Sequence, residues 1–188
     1  MWIAKNNDLI VLVRETRAEL EQALKFMVYT SIEETDKEYI LYKGSYVTEE
    51  EILPEVKQAK YDEANNGAKV FLESGDALFE FETGKHIEAT DGNIAKLTAY
   101  ALAYVTGQLQ PTETVVWNTK EDETVELNAE QIGFIVKGLG YVQASVWSVQ
   151  FPQYLQAIET AETIEEVNAI NIEYYSDVPV TEEMKNEL

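Results

Sequence analysis

Apolar and polar positions recur along this chain in short blocks, each closed by a turn or a cap. Ile10-Val11-Leu12-Val13 is a β-rich apolar run. Thr16-Arg17-Ala18-Glu19 follows with the spacing of a capping box, in which hydroxyl and carboxylate each satisfy a free backbone N–H at a helix start. Leu20, Ala23, Leu24 and Met27 then fall at helical spacing. Residues 29–35 (YTSIEET) lean to strand, and residues 38–47 (EYILYKGSYV) read as two strands around a Lys43-Gly44 turn. Residues 1–47 therefore predict a small β-α-β-β unit.

Thr48 to Glu51 is a second capping box, and the helix it opens contains Pro54, expected within the first turn where its missing N–H costs little. Asn65-Asn66-Gly67 is a stop signal, with a further turn or two through AKVFLES toward Gly75. Residues 48–75 are thus expected to be a helical connector. Ala77–Glu82 and Lys85–Ala89 alternate around Thr83-Gly84, the pattern of a hairpin. Asp91-Gly92-Asn93 opens a helix with Ile94, Leu97, Ala101 and Val105 on one face, and Gly107 stands where a C-terminal cap belongs.

Val115–Trp117 and Thr124–Leu127 form the next strand pair, with NTKEDE as its loop. Asn128 to Gln131 is a third capping box, launching a long helix striped by Ile132, Ile135, Val136, Leu139, Val142, Val146 and Val149 and ending near Pro152. A shorter helix over 154–161, a turn or two from Thr163, and an extended INIEYY (170–175) complete the pattern. The fold class is α+β: two small units of hairpins packed on helices, joined by the connector. The second unit covers 76–176, and 177–188 is expected to be a frayed tail.

Charge changes the picture most. The chain has 14 Lys+Arg against 35 Asp+Glu, a net −21. The excess is uneven, with 9 basic against 15 acidic residues over 1–75 and 5 against 20 over 76–188. Nucleic acid and anionic membrane surfaces are therefore not expected as partners, since affinity for phosphates comes from cations. There is no cysteine, hence no disulfide, thiolate nucleophile or Cys-ligated zinc, which suits a protein made in a reducing cytoplasm. Insertion in a membrane is not expected, and the opening MWIAKNNDLIVLVRET lacks the pattern of a secretory signal.

Candidate chemistry is sparse. His86, alone of its type, has no local nucleophile, acid or second histidine, so it predicts neither a catalytic base nor a metal site. NTKEDE does not follow the alternating ligand pattern of a calcium loop and reads as a solvated hairpin tip. Gly133, Gly138 and Gly140 lack the Gly-Lys-Ser/Thr ending of a phosphate loop and are expected to allow close helix packing. Trp2, Trp117 and Trp147 could line a sugar groove, though core packing is the commoner use, and Trp117 is expected in the core. No catalytic, cofactor or metal residue is assigned.

One resemblance adds to this reading. The run from IEATDGNIAKL through VVWNTKEDETVELNAEQI to AIETAETIEEVNAI resembles the uncharacterised C-terminal domain common in bacteriophage tail-fibre, baseplate and tail-associated proteins. Thr90, Asn93, Ile94, Trp117, Asn128 to Gln131 and Ile158 to Ile170 carry it, over roughly residues 77–175. It implies a non-enzymatic structural component of a phage tail, a homo-oligomer contacting other tail or fibre proteins, made in the host cytoplasm and carried in the virion. The fibrous shaft of a full fibre is absent. A fibre-assembly chaperone and a glycan-binding or glycan-hydrolysing host-recognition module are the alternatives.

Overall fold

The computed structural model describes residues 1–176; the expected frayed tail at 177–188 lies outside them. The chain is α+β, with small antiparallel hairpins packed with helices. Among the described residues it divides into two compact units, one of residues 1–60 and 161–169, the other of residues 61–160 and 170–176.

The first unit holds a three-stranded sheet ordered β2-β1-β3, from β1 (Trp2–Asn6), β2 (Leu9–Arg14) and β3 (Ser31–Glu34). The sequence pattern did not predict β1, which forms the centre of this sheet with Ile3 and Ala4 buried. Helix α1 (Arg17–Ala23) starts at the Thr16–Glu19 capping box and passes into a 3₁₀ turn, Leu24–Phe26. Leu20 and Leu24 point inward to Ala4 and Leu12, whereas Met27, expected on the same face, is exposed beyond the turn. A separate hairpin pairs β4 (Ile40–Tyr42) with β5 (Ser45–Val47). Lys43 and Gly44 both take positive φ, 47° and 86°, the two-residue turn whose twist matches the strands. Helix α6 (Ile164–Ala169) returns to this unit, its Ile164 N–H donating to Glu49 Oε1 at 2.6 Å.

Helix α2 (Glu49–Glu73) is one continuous helix. Thr48 and Glu51 exchange the capping-box bonds at 2.8 and 3.4 Å, which fixes the first turn ahead of Pro54. Pro54 therefore lies in the second turn, not the first, and leaves the carbonyl of exposed Glu50 to water. The stop signal at Asn65-Asn66-Gly67 is overridden, and the chain turns at Gly75, φ +84°.

In the second unit β6 (Leu78–Glu82) pairs with β7 (Lys85–Glu88), and β8 (Val115–Asn118) with β9 (Thr124–Leu127). Helix α3 (Asp91–Val105), capped by Thr90, packs on α4 (Ala129–Ala144), which also covers β6 and β7. Ile132, Ile135, Leu139, Val142 and Val146 are buried as their spacing predicts; Val105 and Val149, expected on the inner stripes, are exposed. Of the three α4 glycines only Gly138 serves close packing, against the Phe79 ring; Gly133 and Gly140 face open space.

The helix does not end near Pro152. A π segment, Ser145–Gln150, joins α4 to α5 (Phe151–Thr160) with the Phe151 N–H bonded to the Val146 carbonyl. This wider register stands beside Pro152, whose ring an α register would press on the Ser148 carbonyl. By length and composition the run Ala129–Thr160 could cross a membrane, yet its principal apolar side chains form this unit's core.

Candidate functional site

The NTKEDE tip is folded back onto strand β7. Thr119 is buried, with its N–H donating to the Glu123 carbonyl at 2.8 Å and its hydroxyl accepting from the Glu123 N–H at 3.3 Å. This tight turn places Asp122 at φ +60° and aims the two preceding residues at the neighbouring hairpin. The Lys120 N–H donates to the His86 carbonyl at 2.9 Å. Glu121 accepts the His86 N–H at 3.0 Å through Oε2 and lies 2.7 Å from His86 Nδ1 through Oε1. Lys120 Nζ reaches Glu88 Oε1 at 2.7 Å.

The acidic tip is thus an edge cover as well as the solvated hairpin tip expected: all its residues but Thr119 are exposed, while Lys120 and Glu121 bond to β7. It occupies the outward hydrogen-bonding groups of β7, which an exposed edge would leave free. Glu121 is held well below the ordinary carboxyl value of 4.5, at about 2, first because the His86 backbone N–H donates to it and then because the imidazole does. Such a carboxyl binds its proton less readily in the folded chain than in the unfolded one. Its stabilising contribution is therefore present above about 4.5 and fades as pH falls through about 2. Glu121→Gln should make the protein less stable at neutral pH, with the deficit shrinking across that interval in denaturant titrations. Equal deficits at pH 7 and pH 2 would show that the charge does not hold the tip.

Beneath the tip lies a polar cleft of about 290 Å³, lined among others by Trp117, Asn118, Lys120, Asp122, Glu88 and Asn93. Trp117 is half-buried: it packs against the core cluster and also lines this cleft. The other two tryptophans are engaged elsewhere. Trp2 carries the Arg17 guanidinium 5.3 Å from its ring centroid, and Trp147 meets Phe151 edge-on at 5.4 Å. Among the described residues no group of three potential metal ligands converges.

No family model, curated protein or solved structure matches this chain. The site is therefore read from its geometry. The sequence pattern placed Trp117 on the strand leading into the tip but could not join His86 to it, since 35 residues separate His86 from Glu121.

The first unit offers a different feature. After the 3₁₀ turn, Phe26 is 99% exposed, Met27 42%, Val28 78% and Tyr29 44%. The chain is tied down just beyond them, where Thr30 N–H donates to the Lys5 carbonyl at 2.6 Å and Asn7 N–H to Thr30 Oγ1 at 2.9 Å. Four large apolar side chains in succession are held in water by an ordered backbone.

Proposed function

We propose that this chain is a non-enzymatic structural component of a bacteriophage tail, in a fibre, baseplate or adaptor, working through contacts with other tail proteins and with copies of itself. The observation that carries the contact reading is the exposed run Phe26-Met27-Val28-Tyr29. Apolar surface left in water is unfavourable by about 25 cal/mol per Å², and contiguous exposed patches commonly mark binding surfaces. The net charge of −21 opposes non-specific clustering of such surfaces, so a contact there needs a shape that fits it. The tail assignment rests on the sequence resemblance over residues 77–175.

Mass spectrometry of purified particles should find the chain at a fixed ratio to other tail proteins. Stoichiometric absence from particles, with recovery on immature fibre, would transfer the assignment to the assembly chaperone. Phe26→Ser with Val28→Ser should leave the melting midpoint nearly unchanged, because neither side chain is packed, while sharply reducing incorporation into particles. Normal incorporation of the double variant would remove the apolar run from the contact.

A further inference from the structure

The cleft under the acidic tip has the chemistry of a ligand site, and its lining selects among ligands. Among the described residues, several of its polar groups have no protein partner. The Trp117 indole N–H is accepted by no protein atom, yet no polar side-chain atom is both buried and unsatisfied, so this N–H is open to solvent. Asn118 Oδ1 accepts from Thr124 Oγ1 at 3.1 Å, leaving its amide N–H₂ unpaired. Asn93 donates to the Glu88 carbonyl at 3.2 Å, leaving its amide oxygen unpaired. The Asp122 carboxylate has no partner; only its backbone N–H is used, in a bond to the Thr119 carbonyl.

Charge removes most ligand classes. An anion would meet Glu88 and Asp122, with the one ammonium, Lys120, already held by Glu88. A metal cation would find Asp122 as the one unpaired carboxylate, too few ligands for a site. An apolar molecule would bury these donors and acceptors without partners, which is unfavourable for each of them. A neutral molecule rich in hydroxyl groups both donates and accepts. It can give two hydroxyl protons to a carboxylate, take protons from amide and indole N–H groups, and lay its C–H face on an indole.

We infer that this cleft binds a single neutral sugar ring, with Asp122 accepting from adjacent hydroxyls, Asn118 and Asn93 pairing with others, and Trp117 as the apolar platform. Its volume of about 290 Å³ lies at the lower end of small-molecule sites, sized for one ring and not for a chain. The docked tip gives the site its rigidity. The Lys120 and Glu121 bonds to His86 hold Asp122 beside Trp117 before any ligand arrives, which lowers the ordering cost of binding. The site is separate from the apolar run of the first unit, so its test is independent of the tail assignment.

The test uses the full chain labelled with ¹⁵N, its three indole signals assigned by single Trp→Phe variants. The probes are the methyl glycosides of glucose, galactose, mannose and N-acetylglucosamine. At least one should move the Trp117 indole signal saturably, with a Kd on the order of 1 mM, while the Trp2 and Trp147 signals stay in place. Asp122→Asn, which suits the positive φ of this turn, and Asn118→Ala are both at exposed positions and should fold normally; each should weaken that binding by about tenfold. Failure of all four sugars to move the Trp117 signal overturns the proposal. So does a shift that both variants leave unchanged, or one shared equally by all three tryptophans.

Discussion

Gly138→Ala should destabilise the protein by about 1–3 kcal/mol, although alanine is the better helix former. A Cβ at position 138 would lie 2.1 Å from the Phe79 ring, far inside contact distance. Phe79 cannot swing away at low cost. It is 4% exposed, and Phe134 stands against it at 5.4 Å between ring centroids. Gly133 and Gly140 lie on the same helix with nothing within 4 Å of their Cβ positions. Gly133→Ala and Gly140→Ala should therefore stabilise by about 0.5–1 kcal/mol, through helix propensity alone. Denaturant titrations of the three variants should thus give opposite signs on one helix. In a Phe79→Leu background, Gly138→Ala should lose most of its penalty, because the clashing ring is gone. A common sign for all three, or a penalty untouched by Phe79→Leu, would mean that β6 does not pack on α4 through this glycine.

The same helix shows which features the sequence makes legible. The capping boxes at Thr16, Thr48 and Asn128 could be read because their chemistry is local: a side chain three residues away meets a backbone N–H whatever lies beyond. The Lys43-Gly44 hairpin was legible for a like reason, since positive φ at both positions is a property of the turn itself. Signals that depend on distant partners misled. Asn65-Asn66-Gly67 would end an isolated helix, but Gly67 is where Tyr174 packs, and that contact keeps the helix going. Pro152 would break an isolated helix, but a π segment absorbs it where Gln150 is buried and bonded to Tyr175. Val105 and Val149 show the limit of periodicity, because a stripe names a face without saying how far its cover extends. The candidate site was illegible as a whole. Nothing in NTKEDE names His86 as its partner, and an acidic loop in a chain with 35 acids gives no cue that it docks.

The segment from Ile170 to Tyr175 predicts the second large effect. It carries no ladder or helix, yet its backbone is gripped at alternate residues. The Gln150 amide donates to the Tyr175 carbonyl at 2.8 Å and accepts the Tyr175 N–H at 3.1 Å, the exchange a neighbouring strand would make. The Tyr154 hydroxyl donates to the Glu173 carbonyl and accepts the Glu173 N–H. Between these clamps Tyr174 is the anchor. Its hydroxyl donates to the Ala64 carbonyl at 2.8 Å, and its ring stacks on Phe71 at 6.2 Å and meets Tyr154 edge-on at 5.3 Å. Gly67 opens the slot, since a Cβ there would lie 3.3 Å from the ring. Removing the ring by Tyr174→Ala should cost about 2–4 kcal/mol, whereas Tyr174→Phe, which loses the hydroxyl bond alone, should cost about 1 kcal/mol. The pH dependence separates the two contributions further. Burial, with Tyr154 second, raises the Tyr174 phenol from 10 to about 12. The neutral phenol is favoured in the folded chain, so its contribution is complete below pH 10 and is lost as pH rises through about 12. Wild type should lose stability over that interval relative to Tyr174→Phe, which has no proton to release there. If Tyr174→Ala melts like the Phe variant, the ring does not anchor the segment. The hydrogen bonds of Gln150 and Tyr154 would then be what holds 170–175 in place.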